Sequence, residues 1–376
     1  METIRNVENQ NPFAVKRPVR NTAVRKPLRG LENRVKNIPV KTSFKEKPQI
    51  LTAKENVKDL KLAKTKVKAK EALADVVELQ ESLPVIDSLI SIEIPKNVEN
   101  IDAEDGENPQ LVSPYINEIY AYLRNLEIIF PIKLHHLDCQ PEVTGKMRGV
   151  LVDWLVQVHL RFHLLQETLY MTISILDRFL QSDKVKRSQL QCAGVTAMFI
   201  ASKYEEMYAP DISDFVYITD STYSKVDILK MEKIILRSLD FNLSKPLPLH
   251  FLRRNSKAGN VDATIHALAK YFLELTLPEY DMAHHLPSAL AAASLYLSLR
   301  LLSATPWSET LTFYSGYSED RILPVVKKLC KIVRDSETIK LQAIRVKYSS
   351  SKLFKVSTLP QLKSSLITEF ANSVKN

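Results

Sequence analysis

The chain reads as an all-α protein: two tandem five-helix units, one extra helix ahead of them, and a disordered tail in front of everything. Three observations carry this. There are only seven glycines in 376 residues against abundant Leu, Lys, Ala and Glu, a composition that favours helices. From Ser113 onward apolar residues recur at helical spacing. After Pro246-Leu247-Pro248 the same rhythm of helices starts again.

Residues 1–112 come first and do not share the pattern. They contain no Trp, Tyr or Cys and two Phe, with prolines at Pro12, Pro18, Pro27, Pro39 and Pro48. Such a stretch cannot bury enough apolar surface to offset roughly 1–2 kcal/mol of backbone entropy per residue. It reads as a disordered tail with at most a short helix over 60–79. Its charge is uneven: 19 basic and 6 acidic residues lie in 1–70, then 1 basic and 11 acidic in 71–112. The dense basic charge behind the formal +9 therefore sits in the tail, and it is no argument for nucleic-acid binding by the folded part.

Ser113-Pro114 offers an N-cap and a first-turn proline, and Tyr115, Ile116, Ile119, Tyr120, Leu123 and Leu126 follow at helical spacing. Met147, Val150, Leu151, Trp154, Leu155, Val158 and Phe162 form the stripe of a second helix. Further helices are expected over 168–180, 188–204, 212–218 and 225–239. The second unit repeats the order over 249–254, 263–276, 287–302, 307–313 and 322–334. The resulting division is a tail, 1–112; a first unit with its leading helix, 113–246; a second unit, 247–345; and an extension, 346–376.

Several function classes lose support. Seven scattered glycines cannot assemble a phosphate-cradling Gly-rich loop. Cys139, Cys192 and Cys330 stand far apart and match no metal spacing, so they read as reduced packing thiols. His159, His163 and Glu167 superficially share a helix face, as His135-His136 and His284-His285 share neighbourhoods, but no His-Glu-x-x-His occurs. Nothing marks an activated nucleophile, so no catalytic residue, cofactor or metal is expected. No run of eighteen apolar residues exists and no signal peptide is evident, so the expectation is a chain of cytoplasm and nucleus without a membrane partner.

The stretch Met147-Arg148-Gly149-Val150-Leu151-Val152-Asp153-Trp154, with Ser202-Lys203-Tyr204-Glu205-Glu206, resembles the cyclin box. Phe215-Val216-Tyr217-Ile218-Thr219-Asp220 and Pro248-Leu249-His250-Phe251-Leu252-Arg253-Arg254 resemble B-type mitotic cyclins in particular, and the likeness runs from Ser113 to about Ser350. Five positions usual in cyclin boxes are present: Arg148, Leu151, Asp177, Lys203 and Glu232. The resemblance implies that Arg148 and Asp177 form a buried ion pair bracing the first box. It implies that Lys203 and Glu232, with Glu205 and Glu206 beside them and Tyr115, Ile119 and Tyr122 on the leading helix, face a cyclin-dependent kinase in a heterodimer. Met147, Val150, Leu151, Trp154, Gln157, Leu190 and Gln191 match the family's shallow patch for docking peptides of substrates and inhibitors. Gln157 stands where some cyclins carry Glu, and Gly149 where Ala is more frequent; losing that carboxylate weakens attraction for a basic motif. Arg253, His266 and Lys270 resemble a pocket for a phosphorylated segment, His266 and Lys270 being four apart on one helix face.

In the tail, Arg25-Lys26-Pro27-Leu28-Arg29-Gly30-Leu31-Glu32-Asn33 matches a destruction box through Arg25, Leu28, Leu31 and Asn33, and Lys54-Glu55-Asn56 reads as a second degron. Together they imply an anaphase ubiquitin ligase as partner. The whole then reads as a non-enzymatic kinase-activating subunit of G2/M progression, destroyed by ubiquitin-dependent proteolysis. Two readings compete with it: a cyclin-fold transcription factor that binds nucleic acid, and a helical scaffold that activates nothing. The Cys-x-x-Cys pairs of a zinc ribbon, usual in such factors, are absent.

Overall fold

Two bundles share one hydrophobic core in the computed structural model, which describes residues 94–373. The tail degrons and the helix expected over 60–79 lie outside the described residues. We label the α-helices in chain order: α1 Ile116–Ile129, α2 Gly145–Phe162, α3 Gln166–Ser182, α4 Leu190–Glu205, α5 Ile212–Ile218 and α6 Lys225–Ser238, then α7 Pro248–Ala258, α8 Ala263–Leu275, α9 Pro287–Leu302, α10 Glu309–Ser315 and α11 Glu319–Asp335, and finally α12 Ala343–Lys347 and α13 Ser365–Asn372. No strand occurs among the described residues.

Each bundle is built around a helix that is apolar nearly all round. In the first it is α4, where Ala193, Gly194, Val195, Ala197, Met198 and Ala201 are fully or almost fully buried. In the second it is α9, whose residues from Pro287 to Leu299 are buried apart from Ala289. Such helices need small residues where neighbours approach closely: a Cβ on Gly194 would stand 2.9 Å from the Leu151 side chain. The departure at Gly149 has a cause of the same kind. A Cβ there would meet the Pro278 carbonyl oxygen at 3.0 Å, so glycine lets the second bundle close against α2.

Local chemistry sets the helix ends. Thr144 accepts from Met147 N at the start of α2, and Ser224 with Asp227 forms a capping box on α6. At the end of α10, Gly316 adopts φ +75° and lies against the Arg124 guanidinium. Ser113 does not cap the leading helix as expected: Ser113–Tyr115 form a 3-10 turn, entered from Val112 in the left-handed region, and α1 begins at Ile116.

The expectation of a disordered tail up to residue 112 is corrected for its last part. Residues 94–111 lie along the second bundle. Glu99 N donates to Thr310, Tyr314 OH donates to Glu99 O, and Arg254 forks both oxygens of Asp102 at 2.5 and 2.6 Å. Lys257 pairs with Asp102 at 2.9 Å and also with Asp105. Charge pairing rather than apolar burial holds this strap, which is why hydropathy alone misses it.

The leading helix is fastened by its polar side. Tyr120 OH donates to His250 O, Arg124 donates to the carbonyls of Tyr314 and Ser315, and Glu127 accepts from Ser288 N at 3.0 Å and from its hydroxyl at 2.6 Å. All these partners belong to the second bundle. The Glu127 carboxylate thereby caps the first turn of α9. Behind α11, α12 packs on α2 and α13 on α11.

Candidate functional site

At the base of the first bundle, Arg148 Nε donates to Asp177 Oδ1 at 2.6 Å and Nη2 to Oδ2 at 2.7 Å, while Nη1 donates to Leu277 O at 2.8 Å. His136 Nε2 stands 3.5 Å from the same carboxylate. Burial alone would raise the Asp177 pKa, but the Arg148 charge and its paired hydrogen bonds, with His136, hold it well below the usual carboxylate range. Because Leu277 belongs to the second bundle, Arg148 braces both bundles. Leu151, one turn on, is buried against α4.

Lys203, in the last turn of α4, donates to Glu232 Oε1 on α6 and lies 4.1 Å from the Phe199 ring centroid. The lysine side chain is 44% exposed and that of the glutamate 12%, so the pair sits at the molecular edge with its cation outward. Apolar side chains left in solvent surround its place in the chain. Tyr204 is exposed, with its hydroxyl 2.8 Å from Ser244 Oγ, and Met207 and Tyr208 are each 87% exposed. Ile234 and Phe241 are exposed as well. Tyr115, just ahead of α1, and Ile119 and Tyr122 on it point away from the partners of Tyr120, Arg124 and Glu127 and are likewise exposed.

Met207, Tyr208, Ile234 and Phe241 were not singled out from the sequence. A signal existed for Met207-Tyr208, two large apolar residues in a segment too short and irregular to bury them. Glu206 is engaged within the chain. Glu206 Oε1 accepts from Leu165 N at 2.7 Å and from Thr168 Oγ1 at 2.5 Å, fastening the end of α4 to the start of α3. Glu205 is half-buried; burial, then the charges of Glu167 and Glu206, raises its pKa.

The docking-patch residues separate into two layers. Val150 and Gln157 are exposed, and Met147, Trp154 and Gln191 are half-buried. Leu151 and Leu190 are core residues, corrected from surface to floor, since α2 and α4 pack closely there. Gln157 Nε2 donates to Asp153 Oδ2 at 3.1 Å, while Asp153 Oδ1 accepts from Ala343 N at 2.9 Å. The one carboxylate beside Gln157 on its helix is thus engaged with α12.

Arg253, His266 and Lys270 are brought together, but around a carboxylate. Arg253 Nη2 donates to Glu167 Oε1 at 2.5 Å. Burial would raise the Glu167 pKa; the charges of Arg253 and Lys270 lower it. His266 is buried, its Nδ1 2.8 Å from Ser256 Oγ, and burial, then the charges of Lys270 and Arg253, pull its pKa to about 3. The three residues expected around a phosphate are thus near one another, with Glu167 bound to one arm of the Arg253 guanidinium and His266 buried beside Ser256.

The apparent His159, His163, Glu167 face is not formed either. The helix ends at Phe162, His163 takes φ 54°, and Glu167 belongs to α3. His159 is buried with Nε2 2.9 Å from Leu165 O, and burial, then the Lys347 charge, draws its pKa to about 3. Among the described residues no group of three His, Cys, Asp or Glu side chains could hold a metal ion, and no helix is long and apolar enough to cross a membrane.

Comparison with known proteins decides the family. Residues 118–244 match the model of the cyclin N-terminal domain and residues 246–362 that of the cyclin C-terminal domain. The chain belongs to the cyclin family. Within it, the cyclin is 53% identical over 332 residues to the G2/mitotic-specific cyclin-B of Patella vulgata, covering 88% of this chain and 80% of that one. It is also 53% identical over 280 residues to the G2/mitotic-specific cyclin-B2 of Gallus gallus, covering 74% and 70%. It is therefore a B-type cyclin. A crystal structure of a viral cyclin from herpesvirus saimiri shares its fold at 22% identity and a TM-score of 0.52, covering 57% of this chain and 96% of that one.

Proposed function

We propose that this B-type cyclin is the regulatory subunit of a mitotic cyclin-dependent Ser/Thr kinase, binding and activating it for G2/M progression. The Lys203–Glu232 pair carries the reading: a half-exposed cation on a buried carboxylate, followed along the chain by Tyr204, Met207 and Tyr208 in open solvent. Large apolar side chains rimmed by a charged pair mark a surface meant to be covered. The cyclin presses this face, with Tyr115 just ahead of α1 and Ile119 and Tyr122 on it, on the kinase's movable helix and holds the active conformer. Raising that conformer from about 1% to about 99% needs roughly 5.5 kcal/mol of preferential binding, within reach of a large apolar interface. Binding energy is the cyclin's contribution; ATP, metal and catalytic groups belong to the kinase.

Two further parts of the proposal rest on sequence. Arg25, Leu28, Leu31 and Asn33, together with Lys54-Glu55-Asn56, deliver the chain to an anaphase ubiquitin ligase, and the cyclin works in cytoplasm and nucleus. Docking peptides of substrates and inhibitors meet Val150, Trp154 and Met147 over the Leu151 and Leu190 floor.

The test is histone-kinase activity of a mitotic kinase carrying its activating phosphate, titrated with the full chain and with Lys203→Ala/Glu232→Ala. The wild type activates, and the double variant loses roughly 2–4 kcal/mol of binding while keeping its fold. No activation and no complex with the wild type would overturn the proposal.

A further inference from the structure

The most exposed part of the surface beside Lys203 has no backbone hydrogen bonds of its own. Met207, Tyr208 and Ala209 are all exposed, and among the described residues none of their backbone amides donates to a backbone acceptor. What fixes the segment lies at its two ends. On the far side, Asp211 and Asp214 form the capping box of α5. On the near side stands Glu206, whose amide donates to Ser202 O at 3.0 Å in the last turn of α4 and whose backbone is then extended, at φ −89° and ψ 139°.

The Glu206 side chain reaches back to α3, where its Oε1 accepts from Leu165 N at 2.7 Å and from Thr168 Oγ1 at 2.5 Å. Leu165 is the N-cap residue of α3 and has no side chain able to cap it. In a capping box an acidic side chain three residues on would take the N-cap amide, but that position is Thr168, itself a donor. Glu206 fills the role from another helix, and its charge suits the positive end of the α3 dipole. The anchor is fixed in turn: Thr168 is fully buried, Gln166 Nε2 donates to Glu274 Oε1 at 2.7 Å and to Tyr348 OH at 3.1 Å, and Glu167 accepts from Arg253. The first turn of α3 is thereby pinned to the second box and to the extension behind it. Glu206 thus joins a fixed turn to an unsupported segment.

We propose that Glu206 is a positioning residue for kinase activation: by capping α3 it sets the course of residues 207–209, and it acts on the kinase through that segment rather than by touching it. This rests on the reading of the surface given under the proposed function. A segment held in its binding course before the partner arrives loses less conformational freedom on association, and the difference appears as affinity. The second box therefore contributes to a surface it does not itself carry, because it holds the turn on which Glu206 is moored.

The test uses the full chain with a mitotic kinase carrying its activating phosphate. Glu206→Ala should raise the cyclin concentration for half-maximal activation about tenfold and change the saturated rate less, and chymotryptic cleavage after Tyr208 in the free chain should quicken by about as much. Glu206→Gln keeps a carbonyl oxygen for both donors and should restore most of the affinity. Thr168→Val removes a donor too deeply buried to meet any partner; it should weaken kinase binding about threefold, and combined with Glu206→Ala it should add nothing further. Wild-type affinity in Thr168→Val beside a weak Glu206→Ala would mean that Glu206 touches the kinase itself, and unchanged cleavage in Glu206→Ala would mean that it holds nothing; either result overturns the proposal. A wild type without affinity for the kinase would instead remove the reading on which the proposal rests, whatever the cleavage rates.

Discussion

The two boxes share a fold but not a surface. Among the described residues, every exposed large hydrophobic side chain lies either between Val112 and Phe241, in the leading helix and first box, or at Val346 and Phe354 behind the second box. Between residues 247 and 345 there is none. Its outer faces are covered from within the chain: the strap of residues 94–111 lies on α7 and α10, α1 is fastened across α9 and α10, and α13 packs on α11. One architecture thus yields a body that is finished as a single chain and a body that still carries Tyr204, Met207, Tyr208 and Phe241 uncovered. The lesson is that the second box anchors the elements which present the first box to its partner.

The comparison can be broken most severely at the brace common to both. Arg148→Ala leaves Asp177 buried without its partner and also removes the bond to Leu277 O, so the cost should be roughly 3–5 kcal/mol. Chemical denaturation measures it, and a loss under 1 kcal/mol would show that the boxes do not depend on this pair.

Acidification probes the seams next. His159 and His266 have folded pKa values of about 3, well below the ordinary 6.5 of an unfolded histidine. Below pH 6.5 the unfolded chain takes up protons that the native chain refuses, so stability is complete above that value and falls as pH drops toward 3. The loss is up to about 1.4 kcal/mol per pH unit for each histidine. Melting temperatures at pH 7.5 and 5.5 test the sign. His159→Phe or His266→Leu should flatten the slope, and a steeper slope in either variant would contradict the assignment.

A narrower break targets the fastening of α1. Glu127→Ala leaves the Ser288 amide and hydroxyl without their acceptor, at a cost of about 1–3 kcal/mol. If α1 presents Tyr115, Ile119 and Tyr122, kinase affinity should fall along with stability, and it should be restored more fully by Glu127→Gln than by Glu127→Leu. The smallest effect belongs to the strap. Asp102→Asn with Asp105→Asn should cost on the order of 1 kcal/mol and open residues 94–111 to protease while leaving kinase activation intact.

What could be read in advance follows the range of the interaction concerned. Helical stripes such as Val150, Trp154 and Val158 are local and periodic, so α2, α4, α5, α6 and α9 are legible within a residue or two. Asp102 and Arg254 stand 152 positions apart, and no local pattern couples them. For the same reason the bond of Arg253 to Glu167, and Glu206 at the start of α3, came only with the fold. The helix α12, of five residues, is too short for its apolar spacing to stand out from loop. Arg148 and Asp177 could be paired beforehand only through the cyclin resemblance. Their spacing of 29 residues says nothing by itself.

The most direct measurement of the contrast between the boxes is amide hydrogen exchange of the full chain, alone and with the mitotic kinase. The account predicts strong new protection around Lys203 to Tyr208, near Ile234 and Phe241, and along α1, with α8, α9 and α11 unchanged. Protection confined to the second box, with Met207 and Tyr208 as open as before, would contradict it.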